Sequence, residues 1–487
     1  MRYLVVAVAL LPALAGASLS FSAPVMCSGQ TGEEWSTGDG CIGPDNTLYE
    51  VWTNTMFGSG EGGIYFARST DTNRTWSPNI TVHYWDPTWV HAEYGRPTIA
   101  ATGDTLYCTY WVRPEHALDS FLLYCSRSDT RGASWSIFDV SISGSASGVP
   151  YGTSLAVGPD GAVNLAFATK PTPYQSTRLY FCRSTDCGVT FSPPLLLPGN
   201  VDICDMDDPS LVVTADNRVL VAARYWFATA KDLYRNNLYL LASTDSGRTF
   251  DTTNLTPVLG QGFSPRLHRG RFNRLYLCYE DLNDQVKFSC STDGGATWQS
   301  PVTVVSDEAG WTSGACDDRI IVGWNDDPNW ESYFRTSADG GTTWSGPAAV
   351  WQVHPFPGDW LSLDFDVGGD VTIFSMHPEP GNVEAQYCSH AVWPAGVTEP
   401  EIRPRQLGPV LAASPNPFVQ ATLLSLPGTN RSGSIQIRTP LGQLVRELDA
   451  SGTATWDGTD AGGRQVPAGV YVAHRRGLGS VRLVRSR

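Results

Sequence analysis

The sequence STDGGATW, residues Ser291–Trp298, decides the fold because similar segments recur along the chain. The other copies are STDTNRTW (Ser69–Trp76), SDTRGASW (Ser128–Trp135), STDCGVTF (Ser184–Phe191), STDSGRTF (Ser243–Phe250) and SADGGTTW (Ser337–Trp344). We assign one aspartate to each copy, in chain order Asp71, Asp129, Asp186, Asp245, Asp293 and Asp339. Consecutive aspartates are 46 to 59 residues apart, and such a period indicates a repeat architecture.

The residues of each copy are typical of a tight turn between two strands. An alternating apolar segment such as VKFSCS (Val286–Ser291) precedes the turn, and a second such as SPVTVVS (Ser300–Ser306) follows it, which predicts a β-hairpin. Aspartate accepts hydrogen bonds from the backbone of its own loop, and glycine permits positive φ. Because a catalytic group is not expected six times at equivalent positions, we interpret these aspartates as structural.

Each unit also contains two earlier strands joined by a tight turn, as in TSLAVGPDGAVNLAFA (Thr153–Ala168). Seven such units of four strands predict an all-β fold, a seven-bladed β-propeller, with six blades as the alternative. The 48 glycines and 33 prolines follow no short period, which agrees with many turns.

The N-terminus has the features of an export signal. Arg2 is followed by an apolar run, Tyr3–Leu14, and by the small residues Ala15–Ala17, which predicts a signal peptide over residues 1–17. The last blade lacks a fourth strand, and LSFSAPVMCS (Leu19–Ser28) resembles the missing one. We therefore expect the mature N-terminus to close the ring as the outer strand of the last blade.

Eleven cysteines, an odd number in an exported chain, leave at least one free or paired between molecules. Ring closure would place Cys27 beside Cys388, and we expect a disulfide between them. Two further candidate pairs within blades are Cys108 with Cys125 and Cys278 with Cys290. For each pair, simple burial of small apolar thiols is the alternative.

The charge is uneven along the chain. The formal net charge is −15, yet residues 405–487 contain ten arginines and four acidic residues. The rest of the chain is therefore strongly acidic, which argues against nucleic acid as a partner.

The S-x-D-x-G-x-T-W segments resemble the Asp-box (BNR) repeats of sialidases and related propellers. We place this domain at residues 18–393. In that family the boxes lie on the face away from the active site, so the resemblance implies that function belongs to the opposite face.

The C-terminal segments SPNPF (Ser414–Phe418), LGQLVREL (Leu441–Leu448) and WDGTDAGGRQVPAGVYV (Trp456–Val472) resemble FlgD-like, immunoglobulin-like C-terminal domains. Similar domains end many exported bacterial proteins, some of which are substrates of the type IX secretion system. The resemblance implies a small β-sandwich over residues 414–487 for sorting or surface anchoring, after a Pro-rich linker over 394–413. A sandwich that only stabilises the chain is the alternative.

The face opposite the aspartate turns receives the loops between second and third strands and the links between blades. We call it the loop-rich face; its segments are longer and rich in Trp, Tyr, Asp, Glu, His and Arg. Function concentrates on such loops of a rigid scaffold, and aromatic rings stack on sugars. The candidate ligand-binding residues are Tyr94, Trp226, Trp324, Trp330 and Trp360; the alternative for each tryptophan is that it covers the end of a blade.

Sialidases hold the sugar carboxylate with three arginines and use a Tyr–Glu nucleophile pair and an Asp acid/base; bidentate, charge-assisted hydrogen bonds explain the arginines. The resemblance implies these candidate catalytic residues: Arg96, Arg224 and Arg266 as the arginines, Tyr225 with Glu280 as the nucleophile pair, and Asp119 as the acid/base. We expect no cofactor. A calcium ion on Asp207/Asp208 or Asp326/Asp327 is the alternative to plain solvation of those carboxylates.

The sequence thus predicts an exported bacterial propeller, secreted or on the outer cell surface, that recognises glycans through its loop-rich face. An exo-acting hydrolase of the sialidase type is the first alternative, and a structural or protein-binding propeller is the second. The expected partners are carbohydrate and, through the C-terminal domain, the secretion machinery or the cell surface. We expect a monomer.

Overall fold

A computed structural model describes residues 19–28, 38–43, 45–55, 62–84, 97–112, 121–140, 148–170, 176–199, 204–229, 233–306, 310–316, 318–326, 331–350, 360–365, 370–379, 383–392, 412–414, 418–425, 432–439, 444–451, 453–475 and 479–486. The chain divides into two compact units, Met1–Val397 and Thr398–Arg487. The division falls within the predicted linker.

Seven four-stranded antiparallel sheets make up the described part of the first unit. Blade 1 contains β2 (Gly38–Ile42), β3 (Leu48–Thr55), β4 (Gly62–Ser69) and β5 (Ile80–Tyr84); blade 2 contains β6 (Thr98–Thr102), β7 (Thr105–Val112), β8 (Leu122–Ser128) and β9 (Ser136–Asp139). Blade 3 contains β10 (Val149–Val157), β11 (Val163–Lys170), β12 (Arg178–Ser184) and β13 (Leu195–Leu196); blade 4 contains β14 (Cys204–Val213), β15 (Val219–Thr229), β16 (Leu233–Ser243) and β17 (Asp251–Asn254). Blade 5 contains β18 (Gly262–Arg269), β19 (Leu275–Asp281), β20 (Val286–Ser291) and β21 (Val302–Val305); blade 6 contains β22 (Gly310–Cys316), β23 (Arg319–Asp326), β24 (Glu331–Ser337) and β25 (Ala348–Ala349). Blade 7 contains β26 (Trp360–Phe365), β27 (Val371–Glu379), β28 (Val383–Ala391) and, from the N-terminus, β1 (Val25–Met26).

The all-β, seven-bladed propeller predicted from the repeats is confirmed, and the six-bladed alternative is wrong. A four-residue helix, α1 (Thr256–Leu259), links blades 4 and 5. Within the described ranges, no helix is long and apolar enough to cross a membrane.

The first strands of neighbouring blades contact one another around the ring and so line its centre. Short polar side chains on these strands accept hydrogen bonds from backbone N–H groups of the next blade. These bonds run from Ile99 N to Asp39 Oδ2 (2.9 Å), from Leu211 N to Ser154 Oγ (3.0 Å) and from Leu267 N to Ser210 Oγ (2.8 Å). They satisfy backbone donors that would otherwise face the centre without a partner.

Apolar side chains fill the space between adjacent blades. In β15, Val219 and Val221 pack against blade 3, whereas Leu220 and Ala222 pack against blade 5. Both faces of a middle strand are thus covered, which explains why these strands are continuous apolar runs.

The N-terminal strand closes the ring, as the sequence predicted. Val25 lies opposite Cys388 and Met26 opposite Tyr387, so β1 is the outer strand of blade 7. Cys27 and Cys388 are buried free thiols, and Cys27 lies diagonal to Cys388 rather than opposite it. The Cys27 thiol hydrogen-bonds instead to the Glu50 carboxylate, and the disulfide stays a prediction.

The suggested pairing of Cys108 with Cys125 is wrong. Cys108 lies opposite Ser126, and Cys125 lies opposite Thr109, so the two thiols are on opposite faces of blade 2. Each packs in a different interblade core. Cys278 and Cys290 do share one core, as free thiols at diagonal positions.

The second unit consists of two small sheets. One contains β29 (Ala412–Ser414), β30 (Thr422–Ser425) and β33 (Thr453–Trp456); the other contains β31 (Ser432–Arg438), β32 (Leu444–Ser451), β34 (Gly469–Arg475) and β35 (Gly479–Arg485). Both sheets contribute to one core, in which Trp456 packs edge-on against Phe418 and Tyr471. This unit is the β-sandwich that the sequence predicted.

Candidate functional site

The aspartate turns have nearly identical internal hydrogen bonds in five of the six copies. In the Ser291–Trp298 copy, Asp293 Oδ1 accepts from Ser291 Oγ (2.9 Å) and Thr297 N (2.9 Å), and Oδ2 accepts from Thr297 Oγ1 (2.6 Å). These bonds, above all those from Thr297, lower the pKa of Asp293 to about 2. Asp71, Asp186, Asp245 and Asp339 are held in the same way. A carboxylate whose lone pairs bind its own loop is a turn-forming group, as predicted.

The copy at Ser128–Trp135 corrects one assignment. Thr130, not Asp129, occupies the aspartate position: its Oγ1 accepts from Ser134 N (2.9 Å) and pairs with Ser134 Oγ (3.0 Å). Asp129 points away from the turn and forms an ion pair with Arg127 at 2.7 Å. The hydroxyl provides the same local bonds as a carboxylate, without its charge.

A glycine, present in five of the six copies, and the closing aromatic residue join the turn to the preceding blade. Gly341 has φ 87°, and a Cβ there would lie 1.9 Å from the Phe288 ring. Trp344 of the same turn packs edge-on against Phe288, with ring centroids 5.4 Å apart. The turns therefore hold neighbouring blades together, which leaves the other face for function.

On the loop-rich side, the first strands of blades 3, 4 and 5 are irregular. Their pairing with the second strand shifts between Pro150 and Gly152, between Asp207 and Ser210, and between Phe263 and Arg266. Ser264, inside the third shift, has φ 45°, a conformation that costs a non-glycine residue free energy. Bulges and strained residues concentrate where a fold redirects side chains, often at functional sites.

The described side chains that suit a ligand best lie between blades 4 and 5 on this side. Arg224 and Trp226 of β15 and Asn236 of β16 project from the face of blade 4 that meets blade 5. The Arg224 guanidinium lies 5.6 Å from the ring centroid of Phe263, at the start of β18. We call these four residues the blade 4–5 cleft.

Asn236 gives this cleft an unused acceptor. Its side chain is 7% exposed, and its Oδ1 accepts no hydrogen bond from any described residue. Its backbone N–H donates to Gln261 Oε1 at 2.9 Å, which fixes the start of β16. A buried acceptor without a donor costs free energy.

The floor of the cleft is apolar and rigid. Leu238, Leu259 and Tyr279 belong to one core, and Tyr279 Oη donates to the Leu259 carbonyl at 2.5 Å. The half-buried indole of Trp226 and the guanidinium of Arg224 stand above this floor. The cation–π contact with Phe263 restricts the guanidinium and is worth roughly 0.5–1 kcal/mol at such a rim.

The predicted nucleophile pair of Tyr225 and Glu280 is wrong, because the structure does not bring the two side chains together. Tyr225 follows Arg224 in a strand and therefore points to the other face, toward blade 3. There its ring stacks on Tyr239 with centroids 4.0 Å apart, and its hydroxyl donates to the Pro198 carbonyl. Glu280 lies in blade 5, opposite Phe263.

The two described arginine candidates lie on neighbouring blades but on different sheet faces. Arg266 is exposed and lies opposite Cys278, on the face of blade 5 that meets blade 6. Burial, followed by the Arg266 charge, lowers the pKa of nearby His268 to about 4, so that imidazole is neutral at ordinary pH. His268 Nε2 and Ser313 Oγ, 2.8 Å apart, link blades 5 and 6.

Trp324, a candidate ligand-binding residue, is a core residue. It is 7% exposed, packs between blades 5 and 6 and stacks on Tyr333 with ring centroids 6.0 Å apart. Trp324 thus fills the core between two blades instead of presenting its indole on the loop-rich face.

The remaining predicted site residues cannot be placed. Tyr94, Arg96, Asp119 and Trp330 lie outside the described residues, and for Trp360 only the backbone, at the start of β26, is described. The carboxylates of Asp207, Asp208, Asp326 and Asp327 also lie outside the description, so the calcium alternative stays a prediction. Among the described residues, no three His, Cys, Asp or Glu side chains are grouped as a metal site.

Sequence reasoning missed Asn236 and Phe263. Part of the signal for Asn236 was present in the sequence. The segment LYLLAS (Leu238–Ser243) pairs with the strand that carries Arg224 and Trp226, and extending that hairpin by two residues places Asn236 opposite Trp226. Phe263 could not be found in this way, since its contact with Arg224 joins two blades.

No protein-family model matches the chain, and no curated protein matches it in sequence. Among solved structures, an ulvan lyase, a polysaccharide lyase bound to a GlcA(1-4)Rha3S unit, is similar with a TM-score of 0.53 and 11% identity over 74% of this chain and 95% of that one. The Penicillium chrysogenum α-L-arabinanase complexed with arabinobiose has a TM-score of 0.47 and 12% identity, over 76% of this chain and 98% of that one. The Trypanosoma rangeli sialidase in complex with the inhibitor DANA has a TM-score of 0.43 and 10% identity, over 81% and 84%. At 11% identity, the likeness to the ulvan lyase shows the fold alone.

Proposed function

We propose that this propeller binds glycans on its loop-rich face, with the blade 4–5 cleft as part of the binding surface. The observation that carries the proposal is the combination of Arg224, Trp226 and the unused Asn236 acceptor on one sheet face. The ulvan lyase bound to its disaccharide unit supports the choice of ligand class, because its fold is similar.

The chemistry of the cleft suits a sugar better than an apolar ligand. An indole ring can cover the C–H face of a pyranose, and a buried amide oxygen accepts a bond from a hydroxyl. A guanidinium donates two parallel hydrogen bonds to neighbouring oxygens. Together these groups recognise an object with an apolar face and hydroxyl edges, since an apolar ligand would leave Asn236 without a donor.

Binding without turnover is the better-supported form of this function. Hydrolysis of the sialidase type needs a nucleophile pair, and Tyr225 points to blade 3 while Glu280 lies in blade 5. An exo-acting hydrolase remains the alternative through residues outside the description, among them Arg96 and Asp119. A structural or protein-binding propeller is the second alternative.

A glycan array probed with the full chain, together with fluorogenic glycosides, tests the proposal. We expect binding without sugar release, and Trp226→Ala should weaken it about tenfold, equivalent to roughly 1.4 kcal/mol. Ile137→Ser is the matched control, because Ile137 is an exposed apolar residue on an outer strand, away from the cleft. Binding to no glycan would contradict the proposal, and release of the fluorophore would replace it with the hydrolase.

We also propose that the chain is exported by its N-terminal signal, acts outside the cell as a monomer and uses its C-terminal sandwich for sorting or anchoring. The resemblance of residues 414–487 to FlgD-like domains supports this role. Fractionation of cells that express the chain with and without residues 414–487 tests it: both forms should leave the cytoplasm, but only the full chain should reach the outer surface.

A further inference from the structure

The interface that closes the ring differs from the other interblade cores. Its apolar cluster contains five buried residues, and a carboxylate, Glu50, is buried beside them. Glu50 lies in β3 between Leu48 and Trp52 on the face that meets blade 7, and its side chain is 0% exposed. The segment that completes this interface, β1, pairs through only two residues.

Glu50 has one partner for its two oxygens. The Cys27 thiol donates to Oε2, whereas Oε1 accepts nothing from the described residues. The thiol also contacts the Gln386 carbonyl at 3.1 Å. Glu50 thus touches the residue that follows β1, so its charge acts directly on the closure.

Burial and the Asp39 carboxylate disfavour the charged form of Glu50, whereas the hydrogen bond from the Cys27 thiol favours it. Cys27 comes from the end of β1, Cys388 from β28 and Asp39 from β2, and none of the described groups that act on Glu50 is a cation. His390, further along β28, lies 3.6 Å from Asp370. Burial and the Asp39 charge raise the pKa of Glu50 to about 8.

We propose that Glu50 makes closure of the propeller ring depend on pH, so that the N-terminal strand is held firmly while the carboxyl is protonated and is released when it ionises. A carboxylate whose pKa is raised in the closed ring stabilises closure below its ordinary value, near 4.5, and loses this effect as the pH rises toward 8. The opening constant therefore rises about tenfold per pH unit across this window and levels off above it.

Hydrogen exchange of the Cys27 amide measures this opening. Its N–H donates to Gln386 O at 2.9 Å, immediately after the two-residue strand β1. The matched control is Leu197 N–H, which donates to Leu179 O at 2.9 Å immediately after the two-residue outer strand β13 of blade 3. The exchange rate of each amide is measured from pH 5 to 9 and is divided by the rate of an unprotected amide at the same pH.

We expect the corrected rate at Cys27 to rise about tenfold per pH unit up to about pH 8, while that at Leu197 stays constant. In Glu50→Gln the slope at Cys27 should disappear. Equal slopes at Cys27 and Leu197 in the unaltered chain would overturn the proposal, and so would an unchanged slope in Glu50→Gln. The comparison of the two amides needs no variant, so it decides the matter even where Glu50→Gln does not fold.

Discussion

The two faces of the propeller differ in where their polar groups find partners. On the face of the aspartate turns, carboxylates, hydroxyls and backbone N–H groups bind one another within eight residues, as around Asp293. In the blade 4–5 cleft, the Asn236 oxygen is buried without a donor from the described chain, and Ser264, next to Phe263, has a strained backbone. The comparison teaches that the face with the most conspicuous motif is the stabilising one, and that the other face keeps a buried acceptor without a donor among the described residues.

The largest effect should follow from overpacking a turn. Gly341→Ala would place a Cβ 1.9 Å from the Phe288 ring at φ 87°, and it should lower the free energy of unfolding by about 3–5 kcal/mol. Gly340→Ala in the same turn is the control: its φ is 70°, but its nearest atoms are 3.4 Å away, so only the backbone cost of about 1–2 kcal/mol applies. Equal losses in denaturant titrations would show that the turn does not hold the blades together.

Removal of a turn carboxylate should have a smaller effect that depends on pH. The pKa of Asp293 is lowered to about 2, so its stabilising effect is complete above its ordinary value of 3.8 and is lost as the pH falls toward 2. Asp293→Ala should therefore lower Tm by a few degrees at pH 7, and the difference from the unaltered chain should shrink below pH 4. A constant difference down to pH 2 would show that the charged hydrogen bonds are not its source.

The smallest effect should come from the turn at Ser128–Trp135, in which Thr130 replaces the aspartate. Thr130→Asp restores the carboxylate of the other five turns and should raise the free energy of unfolding by roughly 0.5–1 kcal/mol at pH 7. Asp129→Ala should change it by less than about 0.5 kcal/mol, because the Asp129 side chain is 55% exposed in its ion pair with Arg127. A larger change in the free energy of unfolding for Asp129→Ala than for Thr130→Asp would show that Asp129 is the turn residue.

The ring was predictable because its signals are local. Turn chemistry and strand alternation each act within a few residues, so they survive in the sequence as a repeat. The wrong assignment at Asp129 came from a copy that contains an aspartate one position away from the one the turn uses.

The site was less predictable because it forms between blades. Strand alternation alone could have separated Tyr225 from Arg224, since consecutive residues point to opposite faces. The contact of Arg224 with Phe263 depends on how blade 4 packs against blade 5, and no local pattern encodes that. Glu50 was missed because its burial results from closure of the ring by a segment more than 300 residues from its partner strand β28.

One paired measurement tests whether one face stabilises the fold while the other binds the glycan. It determines Tm and glycan affinity for Arg224→Ala and Asp293→Ala. We predict that Arg224→Ala weakens glycan binding by about ten- to a hundredfold, because a charge-assisted contact is worth roughly 1.5–3 kcal/mol, while its Tm falls less than that of Asp293→Ala. We predict that Asp293→Ala lowers Tm while the folded variant keeps its affinity. Loss of affinity in Asp293→Ala at unchanged Tm, or full affinity in Arg224→Ala, would contradict the account.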